Sequence, residues 1–369
     1  MKQKPVKLGI REYVAIAILM AGARATEDTP ANLYQKVENA AWMVPLLSSA
    51  LFFIPLYLLL KTMSLFQGKN MFVVMNKLLG KYVGFTVGLI IFVISSSAIS
   101  FDSRTYTNII RTYYFNTTPV LVLYAILIAI CAYGAKKGIQ HVGSASVLIV
   151  FWVICSLAFA LLLSIQDSTL QSVLPILGPG ILEIIKTTPS SLAIFADFFL
   201  LTMLVPYFKS NKEFQKGTWI AYVFVSVQIS ASVFFIICFF DQSLGGLGYP
   251  FHTLIRYISL GTYIPNIEIF FFAIWIMGAI IRFTAFLYLT ALIFGQLFKI
   301  KDFEYLIPSI ATIYLLIGLI PESPVETIVH LKSSIRALAG PMFAAISLIL
   351  WLAALAKGEF KRAKNKNSM

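Results

Sequence analysis

Charge is what this chain has least of. Asp, Glu, Lys and Arg make up 12% of its 369 residues against 59% hydrophobic, and the mean hydropathy is +0.84. A soluble domain of this length needs a far more polar surface, so that class is excluded. Acids are scarcer than bases, 16 against 29, for a net charge of +13. Nucleic acid is nonetheless excluded as a partner, because the bases alternate with hydrophobic runs instead of gathering on one face. There are three cysteines, Cys131, Cys155 and Cys238, all inside apolar runs without metal-ligand spacing. They read as buried free thiols and imply no disulfide framework. The three histidines, His141, His252 and His330, lie in separate polar segments, so no zinc site and no cofactor is implied.

What is there is a series of apolar runs. Hydropathy predicts ten spans, at about 10–30, 41–60, 82–101, 118–134, 143–166, 188–207, 218–240, 267–298, 303–320 and 337–356. Their connections carry bases unequally. One side collects 20 Lys and Arg; the other holds Arg24, Lys36, Arg104, Arg111, Lys186, Arg256, Lys332 and Arg336, and Arg282 alone stays within a span. Positive charge marks the cytoplasmic side, which predicts that both termini are cytoplasmic.

The basic start, Lys2 to Arg11, with the apolar run ending at Ala21-Gly22-Ala23, also has the outline of a cleaved signal peptide. Symmetry favours keeping it. The chain then divides into two sets of five, about 10–166 and 188–356, in one bundle over 1–356, with a basic cytoplasmic tail at 357–369. The first span of each set is interrupted, one by Arg24, Glu27, Asp28 and Pro30, the other by Asp197 and Pro206. Paired broken spans at matching positions predict an all-α, five-plus-five inverted-repeat bundle with discontinuous helices 1 and 6 and a site between the breaks. Leu65 to Lys81 reads as a basic amphipathic stretch on the cytoplasmic face. Phe251, Leu254, Ile255 and Ile258 follow helical spacing and predict an interfacial helix in the outer loop.

Two charges fall at membrane depth, where each costs several kcal/mol, from about 3 upward, unless paired or hydrated. They are Asp197 and Arg282, which are expected to face a shared hydrated cavity and offset each other, directly or through a ligand's amine and carboxylate. The alternative leaves each hydrogen-bonded separately. Around them the candidate ligand-binding set comprises Ala21, Gly22 and Ala23 at the first break; Ser96 and Ser100 in the serine patch that leads to Asp102; Ser191, Phe195 and Phe198 beside Asp197; and Thr284 and Tyr288, four apart on one helical face. Gly22 is expected to permit unusual torsions at the discontinuity. Exposed helix ends there can receive charged ligand groups. Catalysis is not expected: there is no metal cluster, nucleotide loop or serine–histidine–carboxylate set within reach. Asn116-Thr117-Thr118 matches a glycosylation acceptor, a signal too cheap to use.

A further set of residues carries a resemblance. It comprises Trp42, Leu79-Gly80-Lys81 with Gly84, Thr117-Thr118-Pro119, and Leu174-Pro175-Ile176-Leu177-Gly178-Pro179-Gly180. Asp197 and Pro206, Tyr249-Pro250 with Arg256, and Trp275 seven residues before Arg282 complete it. In this order and spacing, over nearly the whole chain, the sequence resembles the B subunits of bacterial spore nutrient germinant receptors, relatives of the amino acid–polyamine–organocation transporters. It departs from that pattern at Gly138-Ile139-Gln140-His141, where Gly-Ile-Glu is common, and at Asn266, where an Arg commonly precedes the acid. Asp197 stands where Glu is usual and Arg282 where Lys is frequent.

The resemblance implies a five-plus-five fold and a ligand-sensing subunit in the lipid bilayer of the spore inner membrane. It further implies amino acid, sugar or nucleoside ligands, and action with an A subunit and a C lipoprotein subunit. A proton- or sodium-coupled permease with Asp197 as proton carrier, and a purely structural assembly subunit, are the competing expectations.

Overall fold

The computed structural model describes residues 7–258 and 268–367. Lys2 and Lys4 of the basic start, Asn266, the first residue of the eighth span and the last two of the tail lie outside the described residues. The helices are α1 (Ile10–Ala21), α2 (Thr29–Val37), α3 (Met43–Ser64), α4 (Met71–Leu79), α5 (Lys81–Tyr113), α6 (Val120–Lys136), α7 (Ile139–Leu163) and α8 (Ile181–Ser190). They continue with α9 (Asp197–Leu201), α10 (Asn211–Phe240), α11 (Pro250–Tyr257), α12 (Glu268–Phe298), α13 (Ile307–Gly318), α14 (Ser333–Ala356) and α15 (Glu359–Asn367). Six helical stretches among the described residues are long and apolar enough to cross a membrane, and α8 with the helix that follows makes a seventh, bent by 43°. The shorter apolar helices α6 and α13, and α1 ahead of the first break, bring the described residues to ten spans. Large apolar side chains such as Leu148, Phe151, Trp152 and Leu162 on α7 stand more than half exposed, a surface suited to lipid and not to water.

Both expected breaks are present. α1 is apolar and buried from Tyr13 onward, then tightens into a 3₁₀ turn at Gly22–Thr26 and leaves helical geometry at Glu27 before α2 starts with Pro30 in its first turn. Gly22 itself is ordinary right-handed helix, φ −68° and ψ −20°, contrary to the expectation of unusual torsions. Its missing Cβ matters for approach instead: a methyl there would stand 2.7 Å from Gln228 Oε1. The second break follows Pro189. The chain unwinds at Ser191, forms a 3₁₀ turn over Leu192–Phe195, and resumes as α9. Gly340 on α14 lets that unwound backbone press close, since a Cβ there would lie 2.3 Å from the Ala193 nitrogen.

Three helices outrun the hydropathy. α5 continues from the apolar run through Asp102 and Arg104 to Tyr113; α14 is preceded by a π-helical turn, Glu326–Lys332; and α8 begins at Ile181, with Glu183 and Lys186 paired at 2.7 Å on its exposed face. The bases count changes with them. Arg24, Arg104 and Lys332 are buried and Arg336 is 18% exposed, so Arg282 is not the one base within the bundle. Cys155 is exposed on α7 and is not a buried thiol. The expected interfacial helix is α11, but its apolar face, Phe251, Leu254 and Ile255, is buried within the bundle instead of resting on lipid. The tail folds as α15 beside α4, with Lys357 Nζ donating to the Lys77 carbonyl across 3.0 Å.

Candidate functional site

The extension of α5 and α14 gathers eight charged side chains at the two breaks. Glu27 and Asp28 come from the linker between α1 and α2, Asp102 from α5, Asp197 from the start of α9; Arg24, Arg282, Lys332 and Arg336 face them. Lys332 Nζ donates to Glu27 Oε2 at 2.6 Å and Asp28 Oδ1 at 2.7 Å, and lies 2.9 Å from Asp102 Oδ1. Arg336 Nη1 donates to Asp28 Oδ2 at 2.7 Å, and its Nη2 to Glu27 Oε1 at 3.3 Å. Arg282 Nη2 donates to Asp102 Oδ2 at 2.8 Å, while its Nη1 donates to the Met20 carbonyl at the end of α1. Arg24 Nη2 donates to Asp197 Oδ1 at 3.3 Å. Four acids and four bases balance, which is what lets them sit in a dry bundle.

Asp197 and Arg282 are therefore not each other's partners: Asp102 takes Arg282 and Arg24 takes Asp197. The alternative of separate partners is the one the structure adopts. Arg24, Glu27 and Asp28 were visible as the break in the first span. Lys332 and Arg336, spaced i, i+4 and hence on one face of a helix, were missed because the hydropathy window opened after them, at 337.

Beside this network a narrow cleft lies between α5, the second break, α12 and α14. Its walls include Ile99, Leu200, Phe286, Ile335, Ala339 and Phe343; Arg24, Asp102, Asp197, Lys332 and Arg336 form its charged end. Asp197 Oδ2, Ser95 Oγ, Arg24 Nε and Arg336 Nε are buried there without a hydrogen-bond partner among the described residues. Buried polar atoms are seldom left unpaired, so this is where a ligand's polar groups fit best. A surface depression shares Arg24, Ala193 and Arg336 with the cleft and leads outward past Ser191.

The structure brings only part of the candidate set to this cleft. Asp197 lines it and Ser191 lines the depression above it. Ser95 faces the cleft where Ser96 and Ser100 were expected; Ser100 Oγ donates back to the Ser96 carbonyl in its own helix. Phe195 and Phe198 turn away onto Tyr222 of α10, both with ring centroids at 5.1 Å, and Ala193, Ala196 and Leu200 take the cleft face. Thr284 packs on Gly134 of α6, and the Tyr288 hydroxyl lies 2.8 Å from that of Tyr207 near the other end of the bundle, so Phe286 is the α12 residue in the cleft. Ala21 is enclosed at the end of α1. Gly22 and Ala23 line a separate, mainly apolar cavity on the far side of the first break, with Tyr106 and Trp275 stacked at 4.9 Å.

Ten spans among the described residues, in two sets of five with the first of each set broken beside a cleft, define a multi-pass membrane protein of the transporter fold known as LeuT-like. Solved structures agree. The structure of MhsT in complex with L-phenylalanine is similar with a TM-score of 0.72 at 16% identity, covering 94% of this chain and 89% of that one. Mhp1, a nucleobase-cation-symport-1 family transporter, is similar at 0.63 and 18% identity, covering 92% and 78%. The chain belongs to the spore germination protein family, whose profile matches residues 13–327. Its relatives include spore germination protein KB of Bacillus subtilis (strain 168), 21% identical over 301 residues and 80% of each chain, and spore germination protein GerQB of Bacillus cereus, 21% identical over 287 residues, 74% of this chain and 76% of that one. This is the family to which the sequence resemblance pointed.

Proposed function

We propose that this protein is the membrane subunit of a spore nutrient germinant receptor, that it is not an enzyme, and that a small nutrient binds in the cleft between the two breaks. The observation that carries the reading is Asp197 Oδ2, buried and unpartnered at the cleft, with the unpaired Arg24 Nε and Arg336 Nε at the same end. A carboxylate beside free guanidinium donors suits a ligand with both an amine and a carboxylate, and the apolar walls suit a hydrophobic side chain. Among nutrients an amino acid meets that description best.

The ligand acts by binding two states of the bundle unequally. The two breaks, α5 and α14 meet at the charge network, so a ligand that draws Asp197 or Arg24 away alters contacts on all four. That bias passes to an A subunit and a C lipoprotein subunit in the spore inner membrane. With both termini cytoplasmic, the depression past Ser191 opens away from the cytoplasm, the side from which nutrients arrive.

A permease coupled to protons or sodium is the second reading. Against it, all four acids are already held by side-chain cations, Arg24 meeting Asp197 and Lys332 alone meeting Glu27, Asp28 and Asp102. The test is germination of strains carrying only this receptor against a panel of nutrients, alongside uptake of the same radiolabelled nutrients into proteoliposomes. A nutrient response without uptake supports the receptor; uptake driven by an ion gradient replaces it with the permease.

A further inference from the structure

Arg104 differs from the other buried bases. Arg24, Arg282, Lys332 and Arg336 each meet a carboxylate within 4.0 Å, whereas among the described residues none lies that close to Arg104. It is 6% exposed, and its Nη2 donates weakly to the Pro321 carbonyl across 3.5 Å. Its Nε and Nη1 have no partner among the described residues. One turn along α5, Asn108 is 2% exposed, and its amide faces the buried Tyr249 hydroxyl within hydrogen-bonding reach. Arg111, seven residues on from Arg104, adds positive charge within electrostatic reach.

Arg104 is thus a buried cation with no carboxylate beside it and two of its donors unused. A guanidinium does not shed its proton at neutral pH, so the neutralisation open to a buried lysine is closed to Arg104. Leaving an ion buried and unpaired costs several kcal/mol. A counter-ion from solution removes that cost and accepts from the two unpartnered donors of Arg104, Nε and Nη1, with Asn108 and Tyr249 beside it. Tyr249 also lines a surface depression above Asp28, which gives the ion a way in.

We propose that Arg104, Asn108 and Tyr249 form a binding site for a small monovalent anion of halide or carboxylate chemistry, separate from the nutrient cleft. The bound anion ties α5 to the connection between α10 and α11 and to the loop carrying Pro321. Asp102, two residues from Arg104, belongs to the charge network, so occupancy of the anion site steadies the helix that holds the network.

The test is thermal unfolding of the full chain in detergent, followed by tryptophan fluorescence in sodium chloride, acetate or bulky gluconate at one ionic strength. The midpoint is expected to stand several degrees higher in chloride or acetate than in gluconate, and to saturate with anion concentration as site binding does. A shift with chloride alone identifies a halide, with acetate alone a carboxylate. Asn108→Asp places a carboxylate beside the guanidinium and is expected to abolish the anion dependence, as is Arg104→Gln; the first decides the matter where the second fails to fold. Equal midpoints in all three salts for the unmodified protein, or a shift retained in Asn108→Asp, overturn the proposal.

Discussion

Arg282 Nη2 donates to Asp102 Oδ2 across 2.8 Å, joining α12 to α5 although 180 residues separate them in the chain. The other arm of the same guanidinium holds the Met20 carbonyl, one of those left open where α1 ends. A single arginine therefore fixes the first break against two walls of the bundle, and its pairing decides how the neighbouring acids divide.

Asp102 and Arg282 should behave as a unit. Asp102→Asn or Arg282→Gln alone is expected to cost about 3–5 kcal/mol by stranding the other charge, and the double substitution less than the sum. Thermal unfolding of the four proteins in detergent measures the coupling; additive losses contradict the pairing.

Lys332 is expected to be the least replaceable base. Lys332→Met leaves Glu27, Asp28 and Asp102 close together with one ammonium fewer, for a loss of about 3–5 kcal/mol or more. The thermal unfolding midpoint in detergent checks this, and a variant that unfolds together with the unmodified protein speaks against it.

Asp197→Asn and Phe198→Ala should separate ligand recognition from packing. The first is expected to abolish the nutrient response while assembly persists. The second is expected to cost about 3–5 kcal/mol of stability through the lost contact with Tyr222, with nutrient preference unchanged in the surviving protein. Germination assays combined with quantification of membrane-inserted protein distinguish the two; a change of preference in Phe198→Ala places that ring in the cleft after all.

Gly340→Ala tests the second break. The new methyl meets the backbone at Ala193 and Leu192, which has less room to yield than a side chain, so a destabilisation of about 1–3 kcal/mol is expected. Gly246→Ala, with open space around it, is the control and should leave the unfolding midpoint nearly unchanged.

Composition and pattern alone determined that the chain lives in a membrane, that it crosses ten times, and that its first and sixth spans are broken. Each of these follows from local chemistry: apolar runs seek lipid, and proline, glycine and charge interrupt a helix wherever they fall. Tertiary structure alone decided the partners. Asp102, Lys332 and Arg336 look like loop residues to a hydropathy window, because a window averages each charge with its sequence neighbours. Their burial depends on opposite charges that arrive from other helices, hundreds of residues away. The same holds for the facing of side chains. Helical periodicity puts Thr284 and Tyr288 on one face, but only the packing of α12 against α6 and the turn before α13 reveals that this face is turned from the cleft, while Phe286 faces it. Which charges neutralise one another is a property of distance in the folded bundle, and distance in the chain does not encode it.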